Sequence, residues 1–116
     1  MKIVIIPGLT LPAVPTADLS KIESLAGHNG EVIVTTHQEA IQHVGDAEVI
    51  LGLVNKKLFS AATQLKWVQS ISSGVDMFFY PEFLESEVVL TSEKGLVGEH
   101  LADHGFGLLL MLTRQL

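Results

Sequence analysis

Five consecutive residues, Ser72-Ser73-Gly74-Val75-Asp76, hold the most chemically suggestive pattern in the chain. They follow the apolar run Trp67-Val68-Gln69-Ser70-Ile71, so bulk gives way abruptly to small side chains and bare backbone. At the carboxyl end of a strand in an open α/β sheet, such a turn is where ligands bind. Unpaired N–H groups at a following helix N-terminus would attract an anion, and small side chains would let a carboxylate reach them. A second reading competes for some of the same N–H groups. Ser73-Gly74-Val75-Asp76 matches a capping box, in which Ser73 and Asp76 cap the helix reciprocally. On the residues alone, cradle and cap both stand.

Other constellations are weaker. His100 and His104 are spaced i, i+4 beside Glu99 and Asp103, but the order is not H-E-x-x-H and no third ligand is evident. Acids at the positive end of a helix dipole account for this stretch without a metal. His28, His37 and His43 are scattered, and no Ser-His-Asp arrangement can be drawn. The Gly105-Phe106-Gly107 pair is followed by leucines inside an expected helix, so it lacks the strand–loop–helix context of a dinucleotide site. No phosphate-binding P-loop occurs. The residues therefore predict no catalytic group, no metal ligand and no cofactor contact in this chain.

These residues must be positioned by a single domain's worth of chain. Its 116 residues are 47% hydrophobic and 17% charged, a globular composition. Runs rich in Val and Ile at 2–6, 31–36, 48–53, 66–72 and 87–92 read as strands. They alternate with helical segments at 16–27 (closed by Gly27), 37–47, 56–62 and 74–86, the last interrupted by Pro81. Nearly continuous apolar strands favour a parallel sheet covered on both faces. The β-α alternation gives a doubly wound, five-stranded α/β architecture.

The segment 97–116 is different. It reads as five turns of helix, apolar nearly all round from Phe106 to Leu112. Such a helix must be buried on all sides, so another chain or domain is expected to cover it. The chain stops at Leu116 with no helix-ending signal, which suggests a portion of a longer protein.

Composition excludes some partners. A net charge of −6 with no Lys/Arg cluster argues against nucleic acid. No apolar stretch approaches the ~18 residues of a membrane span, and the apolar run near the N-terminus is too short for a signal peptide. No cysteine is present, which suits a cytoplasmic protein without disulfides.

Three segments together resemble the D-isomer-specific 2-hydroxyacid dehydrogenase family. They are Ser72-Ser73-Gly74-Val75-Asp76 after its strand, Val88 to Gly95, and the leucine-rich helix carrying Ala102-Asp103-His104 and ending near Arg114. The resemblance covers roughly Glu48 to Leu116. It implies a flavodoxin-like substrate domain over residues 1–96, an interdomain helix over 97–116, and a Rossmann NAD(P)-binding domain beyond this chain. It also implies that the backbone of Ser73 and Gly74 holds a substrate carboxylate, flanked by Ser72 and Val75. Leu96 and Val97 would face the substrate from the fifth strand's loop. Relatives often carry Asn or His there, and Val97 departs from that; Asp103 replaces the commoner glutamate.

The function so implied is binding of a small 2-keto or 2-hydroxy carboxylate within an NAD- or NADP-dependent oxidoreductase. The glycine-rich loop, catalytic arginine and Glu–His pair would lie past Leu116, leaving this chain inactive alone and without bound cofactor. A homodimer through the C-terminal helix is expected. The alternative is a stand-alone, non-enzymatic α/β module that binds small carboxylates or mediates dimerisation.

Overall fold

A computed structural model describes every residue from Met1 to Leu116. Five short strands form one parallel sheet: β1 (Lys2–Ile5), β2 (Glu31–Val34), β3 (Val49–Leu51), β4 (Trp67–Gln69) and β5 (Val89–Thr91). Their spatial order is β2-β1-β3-β4-β5, the flavodoxin-like arrangement. Four helices accompany them: α1 (Thr16–Ala26), α2 (Lys56–Ala61), α3 (Pro81–Leu84) and α4 (Gly98–Arg114). The expected doubly wound parallel sheet and long terminal helix are therefore present.

Register sorts the side chains into two faces. Val4, Ile50, Val68 and Leu90 are aligned across neighbouring strands, and Ile3, Val49, Trp67 and Val89 are aligned one residue earlier. Successive strand residues point to opposite faces, so these two rows look in opposite directions. Val4, Ile50 and Val68 of the first row belong to a cluster of 12 buried residues with Ile6, Val54, Leu58, Phe78 and Phe83, and Leu90 packs against it partly buried. Phe83 of α3 packs at 5.1 Å from Phe59 of α2 and 5.4 Å from Phe78, ring centre to centre. The Tyr80 hydroxyl donates to the Val54 carbonyl at 2.9 Å, tying α3 to the loop after β3.

The second face holds only four buried residues, Ile3, Ile5, Ala26 and Val49. Only α1 packs there, through Leu19 and Ile22, and it leaves Trp67 and Val89 42% and 57% exposed. The expectation of a sheet covered on both faces holds for one face and only partly for the other.

Two expected helices are shorter than the pattern suggested. The segment 37–47 forms a single 3-10 turn at Ala40–Gln42, followed by further turns. Ala40, Val44 and Ala47 are fully buried, so packing against the sheet sets this path, while Val44 and Gly45 contribute poor helix propensity. The segment 74–86 divides into a 3-10 turn at Asp76–Phe78 and the helix α3, with Pro81 at its first position, where proline is tolerated.

Helix α4 projects from the body, and every one of its residues is exposed. The molecule measures 58 × 36 × 24 Å with a radius of gyration of 17.3 Å. A compact chain of this length would have a radius near ~13 Å. No helix is long and apolar enough to cross a membrane.

Candidate carboxylate-binding site

The turn after β4 is built from the inside out by Ser70. This residue is fully buried, and its N–H donates to the Thr91 carbonyl at 2.8 Å, extending the β4–β5 pairing by one residue. Its hydroxyl accepts from the Ser72 N–H at 3.1 Å and lies 3.2 Å from the Ser72 carbonyl, to which it donates. These two local bonds turn the chain immediately after the strand. Ile71 is buried next to Ser70, and its carbonyl accepts the Thr10 hydroxyl from the loop after β1. Gly8 of that loop lies against Ile71 so closely that a Cβ there would sit 2.8 Å from Ile71 Cδ1. The turn is thus held to the centre of the sheet by groups more than sixty positions away in sequence.

Beyond this anchor the backbone is free. The N–H groups of Ser73, Gly74 and Val75 donate to no backbone or side-chain acceptor, while Ser73 and Gly74 are exposed. Three successive unengaged donors among small side chains can hold the two oxygens of a carboxylate by charge-assisted hydrogen bonds.

The capping box does not form. The turn beginning at Asp76 is only three residues long, Val75 occupies its cap position, and no side chain caps it. Asp76 instead folds back beside Gly74: a Cβ at position 74 would lie 3.3 Å from Asp76 Oδ1. The serine hydroxyl that turns the chain is three residues earlier, at Ser70, and the chain enters a 3-10 turn too short to need reciprocal capping. Asp76 therefore places a negative charge at the edge of the candidate cradle, where it opposes an incoming anion.

Leu96 and Val97 follow β5, the strand adjacent to β4, and are 71% and 39% exposed. Gly95 before them adopts φ +92°, a left-handed conformation suited to glycine. Val97 begins α4, so these two residues leave with the projecting helix and make no hydrogen bond to the Ser72–Val75 turn. His100 and His104 stand on exposed turns of α4, where no third His, Cys, Asp or Glu joins them as a ligand set.

The structure also gathers residues that spacing did not connect. A cleft of about 620 Å³ opens beyond β1 and β2, between Gly8, Leu9 and Pro12 on one side and Thr36, His37 and Glu39 on the other. A smaller space of about 260 Å³ runs from there to Ile71 and Leu53. His37 lines both, with its Nε2 3.1 Å from Asn55 Nδ2. Asn55 is also the cap of α2, its Oδ1 accepting the Leu58 N–H at 2.9 Å. These clefts do not include the Ser72–Val75 turn. Gly52, just after β3, lies tight against the Ile6 backbone: at φ +148° a Cβ would fall 2.8 Å from the Ile6 carbonyl oxygen.

A dinucleotide finds no cradle here. The loop after β1 offers Gly8 but no G-x-G-x-x-G, and Gly105 and Gly107 lie within exposed α4.

No family model matches this chain, and no curated protein matches it. Among solved structures, it is similar to the crystal structure of a D-isomer specific 2-hydroxyacid dehydrogenase family protein from Aeromonas salmonicida. The two share 23% identity and superpose with a TM-score of 0.72 over 99% of this chain and 36% of that one. The chain thus spans about a third of the length of that structure, and the likeness establishes the fold.

Proposed function

We propose that this chain is the substrate-binding domain of an NAD(P)-dependent oxidoreductase that interconverts 2-keto acids and D-2-hydroxy acids. The observation that carries the reading is the turn after β4. Three unengaged N–H groups, at Ser73, Gly74 and Val75, stand at the carboxyl end of a strand in a sheet of flavodoxin-like order. The likeness to the Aeromonas dehydrogenase-family structure supports the same reading.

In this reading the chain's own residues bind and orient. Ser73 and Gly74 donate to the substrate carboxylate, Ser72 and Val75 bound the space around it, and Leu96 and Val97 contribute apolar surface from the next loop. Ser70 and Thr10 keep the turn in place. NAD or NADP would supply or accept hydride. The residues here do not fit either, so the cofactor, the cation at the carbonyl and the proton donor belong to another domain.

The test is a titration of the isotopically labelled chain with glyoxylate, pyruvate and hydroxypyruvate, read by amide chemical shifts. The Ser73, Gly74 and Val75 amides are expected to move together, with weak, millimolar affinity. NADH should leave the spectrum unchanged. Asp76→Asn should tighten binding several-fold, because it removes a like charge from the edge of the cradle. If the 2-keto acids leave these three amides unmoved, the reading fails.

A further inference from the structure

Two spaces lead away from the candidate cradle and meet at one histidine. The space of about 260 Å³ beside Gly8 and Leu9 reaches Ile71, the residue before Ser72. A second, of about 220 Å³, reaches Met77, two residues after Val75. Both are bordered by Leu53 of the loop after β3, and both include His37 of the loop after β2. A third space, of about 320 Å³, opens beside His37 and Asn55 and is lined further by Gln38 and Lys57. A ligand whose carboxylate sits at residues 73–75 thus has an apolar path past Leu53 to a polar end.

Hydrogen bonds fix what that end presents. The Leu58 N–H can only donate, and it donates to Asn55 Oδ1 at 2.9 Å, so the Asn55 amide nitrogen is the atom left to face His37. That nitrogen is also only a donor. His37 Nε2, 3.1 Å away, must therefore accept, which puts the ring proton on Nδ1. The pair keeps two donors for another molecule: His37 Nδ1–H and the second N–H of the Asn55 amide.

Charge points the same way. The chain carries 13 Asp and Glu against 7 Lys and Arg, yet no acid borders any of these three spaces. Lys56 pairs with Glu82, whereas Lys57 joins no acid and lines the third space with His37 and Asn55. Glu39 borders the wider cleft that His37 also lines, and its carboxylate accepts the Thr36 hydroxyl. An ammonium and two directed N–H groups, with no acid among them, suit a carboxylate better than an apolar tail.

We propose that His37, Asn55 and Lys57 form a distal subsite that selects 2-keto acids carrying a second carboxylate. The substrate class is the 2-oxo dicarboxylic acids, held at one end by residues 73–75 and at the other by His37 and Lys57. Asn55 orients the imidazole, and its own amide is oriented by the cap it makes on α2. This assignment rests on the carboxylate reading of the turn after β4 and extends it to the far end of the substrate.

The test titrates the isotopically labelled chain with pyruvate, with 2-oxoglutarate, and with 5-methyl-2-oxohexanoate, the apolar isostere of 2-oxoglutarate. The Ser73, Gly74 and Val75 amides report the cradle, and the His37 ring nitrogens and Asn55 side-chain amide report the distal subsite. In the free chain the ring should show its proton on Nδ1. 2-Oxoglutarate is expected to bind about tenfold tighter than the isostere and to move both sets of signals. Pyruvate and the isostere should move the first set alone. Lys57→Gln and His37→Phe should each bring the ratio of the two affinities close to one. Equal affinities for 2-oxoglutarate and its isostere, with His37 and Asn55 unmoved while the cradle amides respond, overturn the distal subsite and leave the cradle standing. Cradle amides that respond to none of the acids overturn both. A preference for 2-oxoglutarate that survives both substitutions removes the subsite from these residues.

Discussion

The two faces of the sheet are made from the same strands, in the same register, yet they differ sharply in what covers them. One face meets α2, α3 and the turns around Ala40 and Phe78, and closes into a 12-residue core. The other meets α1 alone and closes over four residues. In a doubly wound sheet the helix after the last strand is free to return to the face that α1 has begun. Here that helix is α4, and it leaves instead. The stability of the chain should therefore reside mainly on the filled face.

The largest effect expected from this asymmetry is at Phe78. It is fully buried and packs on Phe83, so Phe78→Ala removes an aromatic ring from the centre of the filled face. Such truncations cost about 3–5 kcal/mol, a large part of the stability of a small domain. Trp67→Ala removes a bigger side chain from the open face. Because Trp67 is 42% exposed, its loss should cost clearly less in a dilute sample. Urea denaturation of both variants checks the order. Equal losses would break the comparison, and a Trp67 penalty below about half of the Phe78 penalty would sharpen it.

The next effect lies where the loops over the filled face meet the carboxyl edge. Gly52→Ala places a methyl against the Ile6 backbone at a φ that only glycine adopts freely. A loss of about 1–3 kcal/mol is expected, together with movement of the His37–Asn55 region. Thermal unfolding and amide shifts would register both.

The filled face and the candidate site differ in how far sequence exposes them. Strand positions were legible because Val, Ile and Leu cluster in runs whose length and punctuation suit a buried parallel sheet. The structure trims each run to three or four residues, with single hydrogen bonds from Thr35, Gly52 and Ser70 carrying the pairing one residue further. The Ser72–Asp76 turn was legible as a place, since bulk ends there. Its mechanics were not: the hydroxyl that turns the chain belongs to Ser70, inside the apolar run, and the anchor comes from Thr10. A serine in a strand-like run carries no local sign that it will be buried and bonded forward. The convergence of His37 and Asn55 depends on the order of strands, which spacing along the chain does not encode. The apolar girdle of α4 was plain, but its direction depends on the hinge at Gly95 and on what covers it.

A smaller effect separates two acidic or amide residues that look alike in sequence, each at the start of a short helical segment. Asn55 caps α2, whose Leu58 is buried in the filled face. Asn55→Ala should cost about 1 kcal/mol. Asp76 makes no capping bond, so Asp76→Ala should remain within about 0.5 kcal/mol of the unaltered chain. Equal penalties would mean that Asp76 caps after all, and would withdraw the N–H groups from a ligand.

The smallest effect is expected from the ion pairs at the rim. Hydrogen bonds from Lys2 to Asp46, Lys66 to Glu48 and Lys56 to Glu82 hold all three carboxyls below their ordinary values, with the lysine charges adding to the same direction. A carboxyl with a depressed folded-state pKa contributes stability that is fully present above its unfolded value. That contribution is lost as pH falls below about 4.5 and through the folded value. These groups are solvated, so the loss should be slight and should shrink in high salt. The Lys56–Glu82 pair joins α2 to α3 over the filled face, whereas the other two lie at the amino edge of the sheet. Glu82→Gln should therefore flatten the acid limb of the stability curve for the filled face alone, seen in Phe-rich near-ultraviolet signals rather than in Trp67 emission. If Trp67 emission responded equally, the two faces would unfold as one unit under acid, and the open face would be coupled to the core more tightly than its few buried residues imply.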